Sequence, residues 1–596
     1  MPSAGRLVGR LRRCTKIKMP IERHFVTIAG QWGPRQVHYR RCGSGPAVLL
    51  LHQSPQSSAE YETLMLQWAE GFTVFAPDHP GYGMSDPLAS DSEVEITLWE
   101  FADALAEFMD AVGISSAATY GFHTGAGMAV ALAAAYPERV TAVYANGYVV
   151  LDDAERDHIL SGYLPPLEPR WDGSHLAWIW ARNRDQLMFF PWFDRQLSAR
   201  MIHDVPEPSV LQNWLLEFLR AGDYYRVAYR AAFNFDGNVP LETLQVPAII
   251  TATETDVLRT HLEKIQKQAS CVAIRDGGTL EENLDEAHAF FFRHPGAEPG
   301  HAPETGAISG HGWNRMLNYE HGNLRLHCNL DAPGQPLLLL HGAGGSCETI
   351  EKVFRGFEGK RPVIALDLPG HGESHPLAGH AMFLDSTATA ILAVLDQLGF
   401  PTVDAWAEWG GSTVLIDFIG RHPERIRRAV CSGVQLFNSK DAEELAVHYS
   451  PPIEPAWHGG HLLEYWHIIR NHSLFWPWYR QERGGIIEAE PRVDVADVHT
   501  RVIALLKSAA GWPRICVELF CYPVDGALQN CVNKLYLCAA HWDPNLTHTV
   551  AAADITGLEC TTLPDRQEEW ADAIIELCAV KPDVDAAKEY LSGVEA

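Results

Sequence analysis

Gly121-Phe122-His123-Thr124-Gly125 places one histidine between two glycines, where an apolar run, Ala117–Tyr120, gives way to a helical stretch, Gly127–Ala135. Small residues on both sides permit a sharp strand-to-helix turn that holds the central side chain exposed at the top of a sheet. An imidazole presented in that way changes charge near neutral pH and can take and return a proton. Two other histidines share a context: His175 in Gly173-Ser174-His175-Leu176 and His461 in Gly459-Gly460-His461-Leu462. A helix N-terminus set by Ser174 or Gly460 explains them most simply, and a second acid/base at His175 is the functional alternative. Arg184 and Arg470 are paired in the same manner, as an internal salt bridge or as a group that orients a substrate carboxylate. Trp171, Trp180, Phe190 and Trp192 answer to Trp457, Trp466, Trp476 and Trp478. Most such aromatics form a core, and Trp180 and Trp192 are expected to line an apolar pocket for a hydrophobic or aromatic molecule.

These pairings belong to a longer repetition. Val48–His52 recurs as Leu337–His341, and Asp78-His79-Pro80-Gly81-Tyr82-Gly83-Met84-Ser85 as Asp367-Leu368-Pro369-Gly370-His371-Gly372-Glu373-Ser374. Tyr136–Val140 answers to His422–Ile426, Pro165–Pro169 to Pro451–Pro455, and Phe190–Phe193 to Trp476–Tyr479, at an offset between 285 and 289. A period of that length is a whole domain written twice, not a solenoid. The expected layout is a disordered leader at 1–20, a first domain at 21–295 with a cap at about 149–235, a linker at 296–312, and a second domain at 313–596 with a cap at about 434–520. Within each copy, continuous apolar runs such as Ala47–Leu51, Phe72–Ala76 and Val246–Ala252 alternate with helical stretches such as Leu98–Val112. That pattern predicts an α/β fold, a mostly parallel sheet covered by helices on both faces.

Composition narrows the function. The 596 residues carry a formal charge of −28 at pH 7, and such a surface repels phosphate backbones and anionic lipid. No apolar run is long enough to span a bilayer. The twelve cysteines, nine of them from Cys328 onward, form no C-x-x-C and no zinc spacing, which fits reduced thiols in a cytoplasmic protein. Arg6, Arg10, Arg12, Arg13, Lys16 and Lys18 make the leader basic, and a targeting segment is the other reading of it. Gly342-Ala343-Gly344-Gly345 lacks the Lys-Ser/Thr of a phosphate loop.

In order and spacing the chain resembles the α/β-hydrolase superfamily. His52-Gln53-Ser54-Pro55 stands where the oxyanion segment falls, Asp78–Ser85 is the D-x-P-G-x-G-x-S turn, His123 is the elbow, and Pro247 to Asp256 is the strand that carries the acid. The first half is also similar to a branch of the superfamily with a G-x-H-T-G elbow. The resemblance implies that the Thr124 and Ser54 backbone amides form the oxyanion hole, with Gln53 beside them. It also brings departures. Histidine replaces the nucleophilic serine, no histidine stands in the base position (Thr279 lies near it, and His288 falls late, inside a helix), and only the acid Asp256 survives. In the second half Glu408 is assigned to the nucleophile position and Asp543 to the acid, and no histidine follows His548. Neither half can run an ordinary Ser-His-Asp mechanism.

His123 reaches further than a serine hydroxyl, so Asp256 is expected to accept its N–H and raise its basicity. The expectation is a hydrolase without cofactor or metal, acting on a small hydrophobic or aromatic ester, lactone or C–C bond. A lyase, isomerase or decarboxylase running the same proton shuttle is one alternative. A pseudo-hydrolase that binds a ligand or a protein partner is another. The second half, with His461 in its cap, is expected to be non-catalytic and to pack against the first or mimic a dimer partner; homo-oligomer formation stays open.

Overall fold

The computed structural model describes residues 21–202, 204–300 and 312–579. The basic leader and most of the expected linker lie outside the described residues. The described chain divides into unit 1 (21–168, 175–300 and 457–459) and unit 2 (169–174, 312–456 and 460–579).

Unit 1 is built on an eight-stranded sheet: β1 (Glu22–Gly30), β2 (Gly33–Gly43), β3 (Ala47–Leu51), β4 (Thr73–Pro77), β5 (Ala117–Phe122), β6 (Val140–Asn146), β7 (Ala248–Ala252) and β8 (Val272–Asp276). The spatial order is β1-β2-β4-β3-β5-β6-β7-β8. The β1–β2 and β2–β4 pairs are antiparallel, and the other pairs are parallel. The apolar runs at β3, β4 and β7 are buried along their whole length, as a sheet covered on both faces requires. Helix Leu98–Ala111 opens with a capping box, in which Thr97 accepts from the backbone of the first turn and Glu100 reaches back to the Thr97 N–H.

Unit 2 repeats the plan with β9 (Trp313–Tyr319), β10 (Gly322–Asn329), β11 (Leu337–Leu340), β12 (Val363–Leu366), β13 (Val403–Glu408), β14 (Ile426–Ser432), β15 (Leu535–Ala540) and β16 (Cys560–Leu563). Its sheet order, β16-β15-β14-β13-β11-β12-β10-β9, is the same succession read from the other edge. In both units a run of helices enters after the strand that follows the elbow. In unit 1 they lie between β6 and β7 and include Asp153–Leu160, Ser174–Asp185, Pro208–Ala221 and Tyr225–Asn234. In unit 2 they lie between β14 and β15 and include Ser439–His448, Gly460–Asn471, Val495–Ser508 and Trp512–Phe520. No helix among the described residues is long and apolar enough to cross a membrane.

The D-x-P-G-x-G-x-S turns explain themselves as scaffolding. Asp78 is 1% exposed and accepts from Ser58 N (2.8 Å), Met84 N (2.9 Å) and His38 Nδ1 (2.8 Å), while Ser85 Oγ donates to the Asp78 carbonyl (2.8 Å). Asp367 repeats this with Cys347 N (2.7 Å), Glu373 N (2.9 Å) and Ser374 Oγ on its carbonyl (2.6 Å). Burial alone would raise the Asp78 pKa, but the charge and hydrogen bond of His38, with Arg40 and His52 nearby, hold it well below the usual carboxylate range. Asp78→Ala strands His38 and two amides in a dry site, so unit 1 should lose unfolding free energy, about 1–3 kcal/mol for each group left without a partner. Chemical denaturation of the full chain measures it, and a loss under about 1 kcal/mol, the range of an exposed pair, would contradict this reading.

Candidate active site

The elbow of unit 1 is a tight crossing of backbone. His123 follows the last residue of β5, precedes helix Thr124–Ala135, and carries φ 49° and ψ −110°. A Cβ on Gly121 would lie 2.1 Å from the Gly125 carbonyl oxygen, and one on Gly125 would lie 2.0 Å from that of Leu51. The flanking glycines are thus dictated by close approach of β3, β5 and the helix. Strand β6 pins the turn, with His123 N donating to the Asn146 carbonyl (2.9 Å).

The structure brings His123 and Asp256 together. His123 Nε2 lies 2.9 Å from Asp256 Oδ2, and Asp256 Oδ1 accepts from Leu258 N at 2.8 Å. The Asp256 side chain is 4% exposed and that of His123 is 29% exposed, so the pair is dry at the acid and open at the imidazole. The Phe122 ring stacks on the imidazole at 4.1 Å between centroids. Gly147, at φ 71°, makes room for the pair, since a Cβ there would sit 2.2 Å from His123 Cδ2 and 3.0 Å from Asp256 Oδ2. Burial works to lower the imidazole pKa, but the Asp256 charge and hydrogen bond, with the field of Glu60, raise it above its ordinary value. Asp256 moves the other way: burial pushes it up, and the His123 charge and hydrogen bond bring it below its usual value.

Around the elbow, helix Thr124–Ala135 begins at Thr124, whose N–H is one of the first-turn donors with no acceptor inside the helix. Ser54 is 4% exposed on the loop after β3. His52 fixes that loop: its Nδ1 lies 2.9 Å from the Gln53 carbonyl and its Nε2 accepts from His79 N at 2.8 Å. His341 does the same in unit 2, with Gly342 O at 2.8 Å and Leu368 N at 3.1 Å.

Two further groups escape sequence reasoning. Glu60 accepts from Gln53 N (2.9 Å) and Gln53 Nε2 (3.0 Å), and burial pushes its carboxyl up to about 7. A glutamate in a short turn gives no sequence signal of that kind; only the fold carries it beneath the loop. Glu60→Gln removes its contribution to the His123 field, so the His123 pKa should fall, which a histidine-resolved NMR titration measures. An unchanged titration would remove Glu60 from the site. The second group is Arg182, 1% exposed, whose guanidinium lies 4.7–5.4 Å from the ring centroids of Phe218, Tyr225, Trp192 and Tyr163. Arg182 Nη1 donates to Gln186 Oε1 (2.8 Å), Gln186 Nε2 to Tyr229 Oη (3.0 Å), and Tyr229 Oη to the Ser54 carbonyl (2.7 Å). That chain ties the helical insertion to the loop holding Ser54.

The remaining candidate residues sit in the helical insertions and at helix Leu280–Arg293. Trp192 is 6% exposed and spends its N–H on the Tyr163 carbonyl (3.0 Å). Trp180, 1% exposed, donates to the carbonyl of Trp457, itself part of unit 1, at 2.8 Å. Arg184 donates to the same carbonyl (2.9 Å) and stacks on the Trp457 ring at 4.9 Å. Trp192 thus spends its N–H inside the insertion, Trp180 and Arg184 spend theirs on the Trp457 carbonyl, and Arg184 makes no internal salt bridge among the described residues. His175 lies buried in the first turn of helix Ser174–Asp185, and His461 Nδ1 accepts from Ala456 N at 3.1 Å. His288 packs against Trp68, Phe72 and Phe292 within helix Leu280–Arg293, while Thr279 caps that helix.

Glu408 does not occupy the elbow position of unit 2. The residue with the elbow backbone is Trp409, at φ 50° and ψ −119°, and its Nε1 donates to Asp543 Oδ2 at 3.3 Å. Glu408 is the last residue of β13, 4% exposed, with its carboxyl pushed up to about 7 by burial. The sequence assignment was displaced by one residue, because the centre of the pentapeptide 407–411 is the tryptophan. Among the described residues no group of three or more His, Cys, Asp or Glu side chains could hold a metal.

Residues 46–164 and 335–454 each match the family model described as alpha/beta hydrolase fold. Each match falls on one of the two mostly parallel eight-stranded sheets and includes its elbow, and the chain is a tandem member of the α/β-hydrolase superfamily. Among curated relatives, 2-(acetamidomethylene)succinate hydrolase of Mesorhizobium japonicum is 32% identical over 22% of this chain and 46% of its own length. Cis-3-alkyl-4-alkyloxetan-2-one decarboxylase of Shewanella oneidensis is 32% identical over 20% of this chain and 37% of its own. The chain thus spans about half or less of the length of these relatives. The crystal structure of a hydrolase from Pseudomonas aeruginosa PA01 aligns with 45% of this chain and 98% of its own at 16% identity, with a TM-score of 0.35.

Proposed function

We propose that unit 1 is a hydrolase of a small ester, lactone or activated C–C bond in which His123, held by Asp256, is the base. The observation that carries this reading is the 2.9 Å contact between His123 Nε2 and Asp256 Oδ2 at an elbow that leaves the imidazole open. Asp256 retains the proton on Nε2, so the lone pair of Nδ1 is the basic atom. A water then gives one proton to Nδ1, its oxygen bonds to the substrate carbonyl carbon, and the carbonyl electron pair moves to oxygen. The Thr124 and Ser54 amides stabilise that oxyanion. When it collapses, the leaving group departs with the proton held on Nδ1, and His123 is restored. No enzyme-bound acyl group forms.

The Shewanella relative, named as a decarboxylase, supports a second reading, in which Nδ1 takes a proton from the substrate and returns it to the product. Unit 2 is assigned no chemistry, because the indole of Trp409 has no basic nitrogen. The cap role of the helical insertion and the domain limits near residues 295 and 313 belong to the same proposal.

The test is turnover of a mixture of esters, lactones and small keto acids, followed by mass spectrometry, with native protein and His123→Ala. Products from the native chain alone whose masses sum to substrate plus one water (a single product one water heavier for a lactone) support hydrolysis; product lighter by carbon dioxide selects the second reading. Equal product from both proteins, or none from either, would overturn the assignment.

A further inference from the structure

Unit 2 holds a recess over its own elbow, lined by Trp409, Trp542, Arg492, Arg501, His472 and the apolar side chains of Ile469, Ile487 and Val498. Arg501 Cζ lies 5.3 Å from the Trp409 ring centroid and Arg492 Cζ lies 3.9 Å from that of Trp542. Neither guanidinium has an ion-pair partner among the described residues. Arg492 donates one hydrogen bond, from Nη2 to Gln567 Oε1 at 3.2 Å, and its Nη1 is buried without a partner.

Nearby carboxylates do not balance them. Asp497 is taken by Lys352 Nζ at 2.6 Å, Glu490 is exposed, and Asp543 accepts from Asn545 N (2.8 Å) and from Trp409. Burial pushes Glu408 up to about 7, so it is only partly charged near neutrality, and Asp543 up to about 6, with its carboxylate engaged by Asn545 N and Trp409. His472 is neutral there, lowered to about 3 by burial and by Arg501. Burial and the neighbouring Arg501 outweigh these carboxylates at Arg492 and lower its pKa.

We propose that this recess binds a small carboxylate with a planar apolar body, its oxygens bridged by Arg492 and Arg501. Stacking on indole occupies one face of each guanidinium and leaves the unpartnered Arg492 Nη1 and the N–H edge of Arg501 for carboxylate oxygens, a planar fit that lysine cannot make. Ile469, Ile487 and Val498 provide the apolar wall for the body of the ligand. The elbow that serves chemistry in relatives thereby becomes a floor: Trp409 fills the position of a reacting side chain with a stacking surface.

The probe is benzoate, titrated into the full chain by calorimetry, with benzamide as its neutral counterpart and inorganic phosphate as an anion without an apolar body. Benzoate is expected to bind at least tenfold more tightly than either. Arg501→Gln and Arg492→Gln should each remove that preference, Arg501→Lys should lose most of it, and His123→Ala should leave it intact. The comparison of benzoate with benzamide on the native chain stands even where a variant fails to fold. Absent benzoate binding, equal binding of benzamide or phosphate, or binding unchanged by both glutamine variants would overturn the proposal, and a loss in His123→Ala would move the site to unit 1.

Discussion

His123→Ala is expected to lower kcat/KM of unit 1 by about 10²–10⁴-fold, the contribution of a positioned general base. The substitution removes the only side chain that the elbow presents and leaves Asp256 facing an empty site. Asp256→Asn keeps the shape but loses the charge and accepts or donates without preference at Nε2, so a fraction of the imidazole takes the wrong tautomer. A fall of about the same order is expected from Asp256→Asn, and the double variant should be little worse than either single one, because residues acting as a unit are not additive. Steady-state kinetics on the substrate found by mass spectrometry measures all three. An unimpaired Asp256→Asn would break the dyad even if His123 remained essential.

Gly147→Ala is the second large effect, and it acts through geometry alone. The new methyl would fall 2.2 Å from His123 Cδ2 and 3.0 Å from Asp256 Oδ2, in a backbone at φ 71°. The left-handed backbone costs about 1–2 kcal/mol of stability. Displacement of the imidazole by about 1 Å costs about 10²-fold in rate. Gly433→Ala separates the two terms. Gly433 has φ 64°, and its Cβ would meet Asp543 and Trp409 at 2.5 and 2.6 Å, so it carries a similar structural cost in unit 2. Thermal unfolding should shift for both variants, whereas turnover should fall only for Gly147→Ala. Equal turnover loss in both would mean that unit 2 takes part in the reaction.

Much of the fold is legible in the residues because it rests on short-range patterns. Continuous apolar runs such as Val48–Leu51 announce a buried parallel strand, and the recurrence of Asp78–Ser85 as Asp367–Ser374 announces the second copy. The glycine spacing around His123 is equally local. What sequence does not carry is direction. Trp180, Trp192 and Arg184 have the composition of a binding pocket, yet their N–H groups end on backbone carbonyls, of Trp457 for Trp180 and Arg184 and of Tyr163 for Trp192. Arg182, two residues from Arg184 on the same helix, points into the aromatic cluster that anchors Tyr229 to the Ser54 loop, and spacing does not distinguish them. Glu60 is a similar case: its shifted carboxyl arises from burial under the Gln53 loop. Glu408 was displaced by one residue because β13 and the turn run together as Ala407-Glu408-Trp409, and only a positive φ marks where the strand ends.

The pH dependence of kcat/KM, native against Asp256→Asn, tests the central claim most directly. The base is active when His123 Nδ1 is unprotonated, so rate rises with pH through the imidazole pKa. Asp256 raises that pKa, so the native profile should bend above 6.5, the ordinary histidine value. With the carboxylate removed, burial is the dominant influence left, and the bend should move below 6.5 along with the loss of rate. A native profile without an ionisation in this range, or a bend that stays in place in Asp256→Asn, would contradict a histidine base held by Asp256.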